Sequence, residues 1–90
     1  MIKILVADNH PIVRFGITTL LEQQDDIRLI GDVPTTRKLF KKLEEEVPDV
    51  LVLEMDIPEI NGVSALRKIR NDYPEVKVLI YSGQSEDVYA

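Results

Sequence analysis

Residues 51–62 read "LVLEMDIPEING". With Val50 in front, Leu51, Val52 and Leu53 form an apolar run that ends on Glu54. A strand that is apolar at every position needs cover on both faces, which is the condition of a strand inside a parallel sheet. Glu54 then falls at the tip of that strand. Asp56 follows two residues later, and Pro58, Asn61 and Gly62 mark a turn leading away from it. A buried strand with an acidic tip calls for a sheet around it and a reason for the charge.

Outward from this stretch the chain alternates between two periods. Ile2–Ala7 is a short apolar run of strand character. From Pro11 onward, Val13, Ile17, Leu20 and Leu21 recur at helical spacing, with Pro11 in the first turn and Asn9 or His10 at the cap. The polar residues 23–26 end that helix. Ile27–Val33 reads as a second strand. Thr35 or Thr36 caps a second helix whose Leu39, Phe40, Leu43 and Val47 share one face, and Pro48 stops it. After residues 50–53, the residues Val63, Leu66, Ile69 and Tyr73 mark a third helix closed by Pro74. Residues 76–81 form a fourth strand, and "SGQSEDVYA", residues 82–90, reads as a loop entering a further helix.

Strands that alternate with helices imply an α/β fold with a doubly wound parallel sheet, right-handed crossovers and helices on both faces. Sites in such sheets form at the carboxyl ends of the strands. Asp8 follows the first strand, Glu54 ends the third and Ser82 ends the fourth. Three polar groups from three strands are thus expected along one edge.

Composition narrows the function. Ninety residues make one small domain. There is no Cys, hence no disulfide, thiolate metal site or cysteine nucleophile, and a cytoplasmic setting is expected. A net charge of −5 argues against direct nucleic-acid binding by this domain, since phosphate contacts need clustered Lys and Arg. The N-terminal apolar run is broken at Asp8, too early for a signal peptide, and nothing approaches the length of a membrane span. Neither Gly31 nor Gly62 belongs to a phosphate-cradling motif. The single histidine, His10, reads as a partly exposed loop residue. Phe40 and Tyr73 read as core, while Tyr81, one residue before Ser82, reads as either a switch aromatic or simple packing, with packing favoured.

Clustered carboxylates repel one another, so a fold that gathers them commonly serves a divalent cation or proton chemistry. Asp8 and Glu54 would supply carboxylates, the Asp56 backbone carbonyl another oxygen, and Ser82 a hydroxyl for a phosphate. Taken singly, Asp8 or Asn9 is better read as a helix cap. The three-strand constellation is better read as a working or formerly working site.

"ILVADNHPIVRFG", "PDVLVLEMDIPEING" and "VKVLIYSG" together resemble the CheY-like, flavodoxin-like receiver domain of bacterial two-component response regulators. The run from Asp8 to Gly16 and the following "IRLIG" resemble receivers joined to a LuxR-type helix-turn-helix output domain. The resemblance covers nearly the whole chain. It implies that Glu54 occupies the phospho-acceptor position and that Asp8 and Asn9 are the acidic pair. It also implies that Asp56 offers a carbonyl to Mg²⁺, that Ser82 is the switch hydroxyl, and that Pro58 and Gly62 build the loop after the acceptor. Residues 1–90 would then be a partial receiver with the fifth strand and helix missing and no output domain, a piece of a longer regulator. Strand four would be an exposed edge, and self-association through the region after Val76 is expected.

Two residues depart from the family pattern. Glu54 is one methylene longer than the usual Asp, and Asn9 carries no charge. The resemblance therefore implies a pseudo-receiver, with weak Mg²⁺ binding and little phosphorylation by a histidine kinase. The alternatives are a conventional phospho-accepting, Mg²⁺-dependent receiver, or a domain that only dimerises. "LVLEMDIP" is also faintly similar to the motif of haloacid-dehalogenase-like phosphatases, but the nucleophile is wrong and the downstream Lys and acidic motif are absent, so no enzyme is expected.

Overall fold

A computed structural model describes residues 1–82 and the backbone at 88–89. The elements run β1 (Ile2–Ala7), α1 (Pro11–Glu22), β2 (Ile27–Val33), α2 (Thr36–Glu45), β3 (Val50–Glu54), α3 (Gly62–Asp72), β4 (Lys77–Tyr81) and β5 (Val88–Tyr89). Four parallel strands lie in the order β2-β1-β3-β4, and β5 adds to the outer edge antiparallel to β4. The order places β1 and β3 inside the parallel sheet, where both faces must be covered, and both are apolar at nearly every position.

Side chains alternate across the sheet. Leu5 and Ala7 of β1, Leu51 and Leu53 of β3 and Ile80 of β4 point to one face, where they meet Leu39 and Leu43 of α2 and Ala65 and Ile69 of α3 in the main core. Each fully buried Leu there contributes roughly 1.5–3 kcal/mol. Ile4 and Val6 are buried on the opposite face, which α1 covers through its contacts with β1 and β2.

Several sequence expectations shift in register. α2 ends at Glu45, three residues before Pro48, so Val47 leaves the core face and is exposed. On α1, Val13 and Leu20 are exposed, and the buried residue is Thr18, whose hydroxyl donates to the Phe15 carbonyl at 3.1 Å. Val63 is likewise exposed, and Ala65 and Ile69 carry the buried face of α3. β4 begins at Lys77, with Val76 buried just before it. The expected helix after Ser82 is not what Val88–Tyr89 forms, since this pair runs beside Ile80 and Tyr81 as a strand. Residues 83–87 and 90, which the same expectation covered, lie outside the described residues.

Candidate functional site

The carboxyl ends of β1, β3 and β4 meet at one edge, and Asp8, Glu54, Tyr81 and Ser82 sit there. Asp8 and Glu54 are both 0% exposed, an unusual state for two carboxylates and one that requires partners. Asp8 is held on all sides by its own chain. Its Oδ1 accepts from the His10 backbone N–H at 2.6 Å and lies 2.8 Å from the His10 Nδ1, and its Oδ2 accepts from the Tyr81 hydroxyl. Its backbone carbonyl accepts from the Arg14 guanidinium at 2.6 Å, while the Arg14 Nε lies 2.9 Å from Asp32 and ties α1 to the end of β2.

His10 occupies the N-cap position of α1 without a side-chain capping bond, and its ring turns back onto Asp8 instead. The hydrogen bond to Asp8, then the charge of Asp8, hold the imidazole pKa above its ordinary 6.5, with smaller contributions from Glu54 and Asp56, while desolvation opposes them. Tyr81 is driven the other way from reactivity. Burial, then its bond to Asp8 and the nearby negative charge, push its phenol far above the ordinary value, so it stays a donor.

The turn after Glu54 is built by close approach. The Ile57 N–H donates to the Glu54 carbonyl at 3.3 Å, and the Gly62 N–H donates to the Met55 carbonyl at 2.7 Å. A Cβ at Gly62 would stand 2.8 Å from the Met55 Cα and 3.0 Å from the Glu54 and Met55 carbonyl oxygens, so only glycine fits. Asn61 caps α3, accepting from the Ser64 N–H at 3.0 Å. Across the loop, the buried Thr36 hydroxyl accepts from the N–H groups of Glu59 and Ile60, and the Thr36 N–H donates to the Pro58 carbonyl at 2.6 Å. Thr35, not Thr36, is the cap of α2, accepting from the Lys38 N–H.

The structure brings Asp8, Glu54 and Ser82 to one edge, as their positions predict. Asp56 is exposed in the turn, and the Asn9 amide donates to the Pro34 carbonyl at 3.0 Å. The sequence reading gave His10 as a loop residue and favoured packing over a switch role for Tyr81, and assigned neither to the site. Their signal was their position, two residues after the acidic tip of β1 and at the register partner of Glu54 on β4. A hydrated Mg²⁺ needs free carboxylate oxygens. Both Asp8 oxygens already accept protein donors, and no group of three or more His, Cys, Asp or Glu among the described residues is disposed to hold a metal. Asp8 as arranged therefore offers no open carboxylate oxygen to the ion.

This architecture, with a carboxylate at the tip of the central strand, defines a receiver. The chain belongs to the response regulator receiver domain family, whose model matches residues 4–90. It is 36% identical over 89 residues to the response regulator GacA of Pseudomonas syringae pv. syringae (strain B728a), covering 99% of this chain and 42% of that protein. It is 34% identical over 86 residues to the response regulator protein VraR of Staphylococcus aureus, covering 96% of this chain and 41% of that protein. Among solved structures it resembles the Salmonella typhimurium RcsB response regulator, with a TM-score of 0.85 at 25% identity over 90% of this chain and 42% of that one. A LuxR-family response regulator from Aurantimonas sp. SI85-9A1 matches with a TM-score of 0.83 at 27% identity, over 91% of this chain and 59% of that one. The chain spans less than half the length of the curated relatives it matches. Among the described residues, no helix is long and apolar enough to cross a membrane.

Proposed function

We propose that this chain is the regulatory receiver of a cytoplasmic two-component transcriptional regulator with a LuxR-type DNA-binding output domain, and that it works without phosphorylation of Glu54. The observation that carries this reading is a fully buried glutamate at the acceptor position. Phosphoryl transfer depends on in-line positioning and charge neutralisation, and a displacement of about 1 Å can cost roughly 100-fold in rate. Glu54 extends its carboxylate by one methylene, and Asn9 supplies no charge for a metal. Mg²⁺ binding is accordingly weak, and a histidine kinase, if it docks, acts other than by phosphoryl transfer. Glu54 places one negative charge where a phosphoryl group would bring about 1.5 to 2, so it is a partial mimic of the phosphorylated state.

The domain itself neither catalyses a reaction nor grips DNA. Its relatives are response regulators, and the RcsB relative has been solved as a DNA complex, which supports an output domain as the DNA-binding part. Self-association of the receiver would couple its state to that output.

The test is incubation with a small-molecule phosphodonor and Mg²⁺, read by intact mass. The unaltered protein is expected to gain no phosphoryl group. A gain at the rate of an ordinary aspartate receiver would overturn the reading.

A further inference from the structure

The Tyr81 side chain does more than pack. β3 lies between β1 and β4, and neighbouring strands are about 4.8 Å apart. A hydroxyl from β4 that reaches the carboxylate following β1 must therefore cross the end of β3. Tyr81 is the register partner of Glu54, so both side chains stand on the same face of the sheet. From that face the Tyr81 hydroxyl reaches the Asp8 Oδ2. On the other side His10 closes the Asp8 Oδ1, through both its backbone N–H and its ring. Asp8 and Glu54 are both 0% exposed.

We infer that Tyr81 is a positioning residue that shuts the acceptor pocket, clasping Asp8 so that neither Mg²⁺ nor a phosphodonor reaches position 54. The inference rests on the assignment of Glu54 to the acceptor position and adds a second, independent block. The length of the residue at 54 is one barrier, and the Tyr81–Asp8 clasp is the other. Restoring aspartate alone does not restore a working receiver. The donated hydrogen bond to a charged, buried carboxylate is what holds the ring in place, and breaking it raises the open population by about tenfold to a hundredfold.

The experiment compares Glu54→Asp with Glu54→Asp/Tyr81→Phe and Glu54→Asp/Tyr81→Leu, using a small-molecule phosphodonor with Mg²⁺ and intact mass, with circular dichroism to establish folding. Both double variants are expected to gain a phosphoryl group about tenfold to a hundredfold faster than Glu54→Asp. Equal rates in the single and double variants, whether all fast or all silent, overturn the clasp while leaving the proposed function to its own test on the unaltered protein. A gain in the Leu variant alone overturns the role of the hydrogen bond. A second reading needs no phosphoryl transfer: Mg²⁺ is titrated into the unaltered protein and Tyr81→Phe, and amide shifts near Asp8 are followed by NMR. Tighter binding by Tyr81→Phe is expected, and equal binding contradicts the inference.

Discussion

At the scale of single residues, the chemistry of this receiver turns on how Asp8 is occupied. His10 is the one histidine of the chain, so its ring protons give an unambiguous NMR titration. Asp8 holds its pKa above 6.5, and the imidazolium is therefore favoured in the folded protein. Such a group adds stability that is complete below pH 6.5 and is lost as pH rises through the elevated folded value. The expected titration midpoint lies above 6.5 and returns to about 6.5 in Asp8→Asn. A midpoint at or below 6.5 in the unaltered protein would contradict the His10–Asp8 contact. The sequence showed Asp8 and Glu54 plainly, because acidic residues at strand tips are conspicuous. It did not show the clasp, because the reach of a tyrosine across an intervening strand depends on strand order and register.

At the scale of elements, the loop between β3 and α3 is fixed from two sides, and each support has a measurable weight. The Thr36 hydroxyl is buried and serves two backbone N–H groups of the loop. Thr36→Val keeps the shape and leaves both donors unserved, so chemical denaturation is expected to show a loss of about 1–3 kcal/mol. A change within experimental error would mean that the strap is not formed in solution. Gly62→Ala forces a methyl group against the Met55 backbone, which cannot yield as a flexible side chain can. A loss of about 1–3 kcal/mol is expected there as well, and an unchanged denaturation midpoint would contradict the close approach. Pro58 and Gly62 were legible as turn residues. The choice between Thr35 as cap and Thr36 as strap was not, because either threonine satisfies the local capping rule, and only the loop across the gap separates them.

At the scale of the whole molecule, the periodic pattern carried the fold. The apolar runs of β1 and β3 require the centre of a parallel sheet, and those strands are where the structure puts them. Amphipathic spacing was less faithful in α1, where Val13 and Leu20 remain exposed, because periodicity reports an apolar face without reporting what covers it. β5 pairs with Ile80 and Tyr81, leaving Lys77, Val78 and Leu79 without an outer strand among the described residues. Self-association along this edge is expected, and Leu79→Lys should weaken it, since a charge on an edge strand opposes pairing. Sedimentation velocity over a range of concentrations checks this, and a sharp monomer at every concentration would contradict it.

Whether Glu54 can serve as the acceptor is decided when unaltered protein, Glu54→Asp/Tyr81→Phe and Asn9→Asp/Glu54→Asp/Tyr81→Phe are exposed together to a phosphodonor and Mg²⁺ and weighed intact. A phosphoryl group is expected on the variants and none on the unaltered chain. A phosphoryl group on the unaltered chain at a comparable rate would show that one methylene is no barrier and that this receiver is an ordinary phosphorylation switch.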